Sequence, residues 1–72
     1  MSVDIFSTVE KILSFEPVKI EMVVDEHSED TFAVAVTKEG KRHQIQIGRE
    51  QLHLFETIFR NKKIHTTMFF QI

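Results

Sequence analysis

The chain contains no cysteine, no tryptophan and no tyrosine, and it has one proline and two glycines. Without cysteine there are no disulfide staples and the commonest zinc ligand is missing, which fits a reducing compartment. Two glycines leave scarcely any backbone for a glycine-rich phosphate cradle. With neither tyrosine nor tryptophan, base stacking would fall to phenylalanine alone. The longest apolar run, residues 32–36, is far short of the about 20 residues that cross a bilayer. Asp4 stands among the first residues and no apolar leader follows it, unlike a secretory signal. These absences set the expectation of a soluble, cytoplasmic protein with no membrane segment.

At 72 residues the chain is expected to form one domain, residues 1–72. A domain of this size buries only about 60–65% of its unfolded surface and is marginal on its own. Small domains make up the deficit with disulfides, a metal or oligomerisation. With no cysteine present, self-association is the expected supplement.

Net charge is −2, but the two halves differ in sign. Residues 1–37 carry eight acids against two bases, net −6, and residues 38–72 carry seven bases against three acids, net +4.

Periodicity predicts a helix over residues 2–15, with Ile5, Phe6, Val9, Ile12 and Leu13 on one arc and Ser2 or Asp4 as its cap. Pro17 ends it, because proline disfavours helical backbone at Glu16. A strand over 18–24 puts Val18, Ile20, Met22 and Val24 on one side. An acidic turn at 25–30 leads to a second strand, 31–38, with Phe32, Val34 and Val36 opposite Ala33 and Ala35. A tight turn at Gly40 precedes a third strand, 42–47. Gly48 marks the change to helical period. Leu52, Leu54, Phe55, Ile58 and Phe59 then line a helix over 49–60, with Asn61 as its left-handed C′ residue. Residues 64–72 alternate as a fourth strand. The expected fold is α+β in the order α-β-β-β-α-β, a four-stranded, mainly antiparallel sheet packed with two helices.

On this reading the main sheet face holds Val18, Ile20, Met22, Val24, Phe32, Val34, Val36, Ile45, Ile47, Met68 and Phe70. The other face mixes Glu21, Gln44 and Gln46 with Val23, Ala33, Ala35 and Phe69, too apolar for a fully wetted surface. Two arrangements satisfy this. Either the first helix covers that face, or both helices share the main face and Val23, Ala33, Ala35 and Phe69 form an interface with another subunit. The last strand has no proline or internal lysine to blunt it if it lies at an edge.

No catalytic constellation stands out. The four histidines, His27, His43, His53 and His65, form no H-x-H or H-x₃-H pair, and ordinary surface histidines account for them better than a metal site does. The acidic turn lacks the glycine and spaced oxygens of a calcium loop. A chain this thin has little volume for a substrate pocket of about 300 Å³ or more. The expectation is therefore no enzyme, no metal and no cofactor. Two binding readings are left. The first is a protein-interaction module of regulator or inhibitor type, a homodimer that binds an unidentified protein. One form of it uses Glu16, Glu21, Asp25, Glu26, Glu29 and Asp30 to imitate phosphates. The alternative is a nucleic-acid-binding domain using Lys38, Lys41, Arg42, Arg49, Lys62 and Lys63, provided the turn and a helix end converge.

Overall fold

A computed structural model describes residues 4–28 and 30–71 of the chain. The expectations placed on Ser2, Glu29 and Ile72 lie outside the described residues. The elements follow in the order α1 (Ile5–Leu13), β1 (Pro17–Asp25), β2 (Thr31–Thr37), β3 (Arg42–Ile47), a 3-10 turn (Arg49–Gln51), α2 (Leu52–Asn61) and β4 (His65–Gln71). This is the expected α+β order. The sheet runs β3-β2-β1-β4, antiparallel except where β4 lies parallel to β1. Both β3 and β4 are therefore edge strands.

Asp4 caps α1. Its Oδ1 accepts from the amides of Phe6 at 3.1 Å and Ser7 at 3.4 Å, while the Ser7 hydroxyl donates to Oδ2 at 2.9 Å. These bonds, led by the Ser7 hydroxyl, hold the Asp4 carboxyl below its ordinary pKa. Past Leu13 the chain turns at Glu16, whose φ of 52° is left-handed, and Pro17 opens β1. Helix α2 closes with a Schellman motif: the Ile64 amide donates to the Phe59 carbonyl and the Lys63 amide to that of Arg60. The left-handed C′ residue is thus Lys63, with φ 64°, and not Asn61, which is still helical.

Ile12, Ile20, Met22, Val24, Ala33, Ala35, Phe55 and Phe59 have no exposed surface and belong to one core cluster with Val9, Ile47 and Leu52. Residues of both helices share that cluster with one face of the sheet. The arrangement with a helix on each face is excluded. Burying each of the two phenylalanines contributes roughly 1.5–3 kcal/mol.

Four expected core positions are exposed instead, one of them Phe70 near the end of β4, which lies beside Val24 on the helix side of the sheet yet is 58% exposed. Val18 is the extra residue of a β-bulge, because Pro17 pairs with Thr37 and Lys19 with Val36, and it is 55% exposed. Phe6 and Leu54 sit at the rims of their helical arcs and are also exposed.

The larger correction concerns β2. Register pairs Ile20 with Ala35, Met22 with Ala33 and Val24 with Thr31, so the alanines face the helices and Phe32, Val34 and Val36 face away. Asp25 organises the preceding turn, where its Oδ1 accepts from the His27 amide at 2.9 Å and the Ser28 amide at 3.3 Å. The Asp25 amide then donates to the Asp30 carbonyl. A turn one residue longer or shorter would flip every side chain of β2. Ala33 and Ala35 are thus core residues, not members of the helix-free face.

Candidate interaction surface

The helix-free face is built of cross-strand rows. Gln46, Phe32, Val23 and Phe69 form the first, on β3, β2, β1 and β4 in turn. Gln44, Val34, Glu21 and Thr67 form the second, and Arg42, Val36, Lys19 and His65 the third. Of the four residues expected on this face, Val23 and Phe69 are directly paired there, and Ala33 and Ala35 are not. Phe32, Val34 and Val36 take their place. Alternation alone could not reveal this, since β2 is apolar in both phases.

The rows differ in how they meet solvent. Val34 and Val36 are buried although no helix covers them, and so is Glu21. The Glu21 carboxylate accepts a hydrogen bond from Arg42 and lies 3.4 Å from the Lys19 ammonium. Long polar side chains thus roof the second and third rows with their aliphatic stems. The Arg42 hydrogen bond, opposed by burial and reinforced by Lys19, holds the Glu21 carboxyl below its ordinary pKa. No such roof extends to the first row. Val23 and Phe32 are half-buried, Phe69 is 45% exposed, and Phe70 on the adjoining edge is 58% exposed. A shallow concavity of about 350 Å³ opens there between Glu21, Val23, Arg42, Phe69, Phe70 and Gln71.

Charge is sorted along the strands. The turn carrying Lys38 and Lys41, the start of β1 at Lys19 and the end of α2 at Lys62 and Lys63 share one end of the sheet. Asp25, Glu26 and Asp30 occupy the other. Of the six basic candidates, Lys38, Lys41, Lys62 and Lys63 come to a common end. Arg42 is also there but is ion-paired with Glu21, while Arg49 lies at the acidic end, 3.2 Å from Glu26. The acids proposed as phosphate mimics are divided as well: Glu16 lies at the basic end and Glu21 is buried in the sheet face.

Among the described residues, no three His, Asp or Glu side chains gather as a metal site would require. His43 stacks on Phe15 with ring centroids 3.9 Å apart, and His53 lies 3.3 Å from Glu56. Between the helices a cleft of about 320 Å³ is lined by Phe6, Val9, Glu10, Leu13, Ile58 and Lys62. Among the described residues, no helix is long and apolar enough to cross a membrane. Compared with known proteins the chain finds no counterpart: no family model, no curated protein and no solved structure matches it.

Proposed function

We propose that this chain is a non-enzymatic protein-interaction module, a homodimer acting in the cytoplasm that docks a second protein on the helix-free face of its sheet. The observation that carries the reading is the unroofed row of Phe32, Val23 and Phe69, on a face whose other apolar residues are covered by their own neighbours. A large aromatic left 45% exposed beside Val23 gives a partner's apolar side chain something to bury against. The row lies toward Asp25 and the acidic turn, so the partner that fits offers an apolar patch bordered by basic side chains.

Affinity capture from the host with the chain and with Phe69→Glu tests this. A partner retained by the chain, lost with Phe69→Glu and kept by Leu54→Glu supports the reading. Leu54 is equally exposed but lies on α2. Equal retention by all three proteins rejects it.

A second reading, nucleic-acid binding, has one observation in its favour: Lys38, Lys41, Lys62 and Lys63 share one end of the sheet. Glu16 and Glu39 lie at the same end and reduce its charge. Retention on heparin that weakens steeply with salt would support this reading, and its absence would dismiss it.

A further inference from the structure

β4 is an edge strand with no acidic side chain and no lysine or arginine between His65 and Gln71. Which of its backbone groups face outward follows from one hydrogen bond. The Gln71 carbonyl accepts from the Glu26 amide, at the end of β1, at 2.8 Å. Alternate residues of a strand direct their N–H and C=O groups to the same side, so Phe69, Thr67 and His65 also address β1. Thr66, Met68 and Phe70 therefore turn theirs to the open edge. Consistent with this, the Thr66 carbonyl accepts from the Arg60 guanidinium, at a long 3.4 Å.

Resting on the reading of the chain as a self-associating module, we propose that its partner at this edge is β4 of a second copy. The two strands run antiparallel about a two-fold axis at Met68. In that register Met68 faces Met68 of the other copy, and Thr66 and Phe70 face each other twice. The Phe70 amide of the other copy then takes the place of the long Arg60 bond at the Thr66 carbonyl, all three outward residues of each β4 exchange both backbone hydrogen bonds, and the two four-stranded sheets become one of eight strands. A register shifted by one outward residue leaves some of those groups unmatched.

Charge selects this edge and this direction. Each β4 begins beside Lys62 and Lys63 and ends beside Asp25 and Glu26, so an antiparallel pair sets the basic end of each copy next to the acidic end of the other. The β3 edge opens instead on Lys41, a charge of the kind that blunts an edge against strand addition, and its two arginines are already held in ion pairs with Glu21 and Glu26, so no basic end there waits for the acidic end of a second copy. The β4 pairing also completes the docking face. Phe69 comes opposite Thr67 of the other copy, and the two Phe69 rings become diagonal neighbours about 7–8 Å apart, within aromatic reach.

Light scattering on the eluting peak at micromolar concentration should give twice the 8.5 kDa of the chain. Phe70→Pro removes only an outward amide and a side chain that is 58% exposed, so it should elute at single-chain mass with an unchanged circular dichroism spectrum. Because the chain lacks cysteine, Met68→Cys reports the register directly. Facing residues lie about 5.5 Å apart at Cα, inside the disulfide range, and mild oxidation should link the two copies. Thr67→Cys lies diagonal to its own counterpart and should stay unlinked. Single-chain mass for the unaltered protein overturns both this pairing and the homodimer reading. A dimer that survives Phe70→Pro with its spectrum intact, or that links at Thr67→Cys instead, overturns the pairing alone.

Discussion

Arg42 on β3 and Glu21 on β1 are joined by an ion pair that passes over β2. Lys19 approaches the second carboxylate oxygen of Glu21 at 3.4 Å, so a single acid gathers two cations above Val34 and Val36. The arrangement explains why a sheet face without a helix still hides two valines. It also divides that face into a closed part and the unroofed row at Phe69.

The pair should make stability depend on pH. Glu21 is held below its ordinary value of 4.5, chiefly by the Arg42 hydrogen bond. A depressed carboxylate contributes stability that is fully present above the unfolded value and is lost as pH falls through the folded one. Arg42 and Lys19 are about half exposed, so screening limits the gain to about 1 kcal/mol at neutral pH. Urea melts of the chain and Glu21→Gln should differ by that amount at neutral pH and converge in acid below 4.5. A gap that persists undiminished in acid would assign the effect to shape instead of charge.

The phase of β2 gives a second expectation. Ala33 has no exposed surface and lies opposite Met22 in the core cluster with Phe55 and Phe59. Ala33→Leu adds three carbons where the helices close down, and should destabilise by roughly 1–3 kcal/mol through overpacking. Thermal melts check it. A neutral result would mean that the alanines face outward after all.

That position marks where the sequence could be read and where it could not. In β1, β3 and β4 apolar and polar residues alternate, so their faces followed from the pattern, as Ile20 against Glu21 and Ile45 against Gln44 illustrate. In β2 both phases are apolar, and alternation does not choose between them. The expected core face takes Phe32, Val34 and Val36, whereas the structure turns Ala33 and Ala35 toward the helices. The turn organised by Asp25 sets that choice, and its length carries no hydrophobic signal. Phe69 and Val23 are each legible as residues of the helix-free face because both break the polar phase of an alternating strand; their pairing is not, because it depends on strand order. The parallel placement of β4 beside β1 was not, since strand order depends on how the chain crosses behind α2.

Two left-handed residues should respond in opposite directions. Gly40 has φ 89°, and beyond its own chain neighbours no atom lies within 4 Å of where a Cβ would stand, so Gly40→Ala loses stability by backbone conformation alone. About 1 kcal/mol is expected. Lys63 occupies similar backbone with φ 64°, and Lys63→Gly relieves that strain against the entropy glycine brings to the unfolded chain. The net gain should be roughly 0.5 kcal/mol. Chemical denaturation of both variants would detect the difference in sign.

Thr31 has 1% of its surface exposed, and its hydroxyl has no hydrogen-bond partner among the described residues. Its strand neighbours on the helix side are Val24 and Ile47, both apolar. A buried hydroxyl left unpaired costs about 1–3 kcal/mol, and valine has nearly the same shape without it. Thr31→Val should therefore raise the melting temperature, at roughly 4–8 °C for each kcal/mol gained. Thr31→Ser keeps the hydroxyl and removes the packed methyl, so it should lower it. Should Thr31→Val melt lower than the unaltered chain, the hydroxyl must be satisfied in the folded protein. A bound water or a neighbouring chain would then belong to the core at this point.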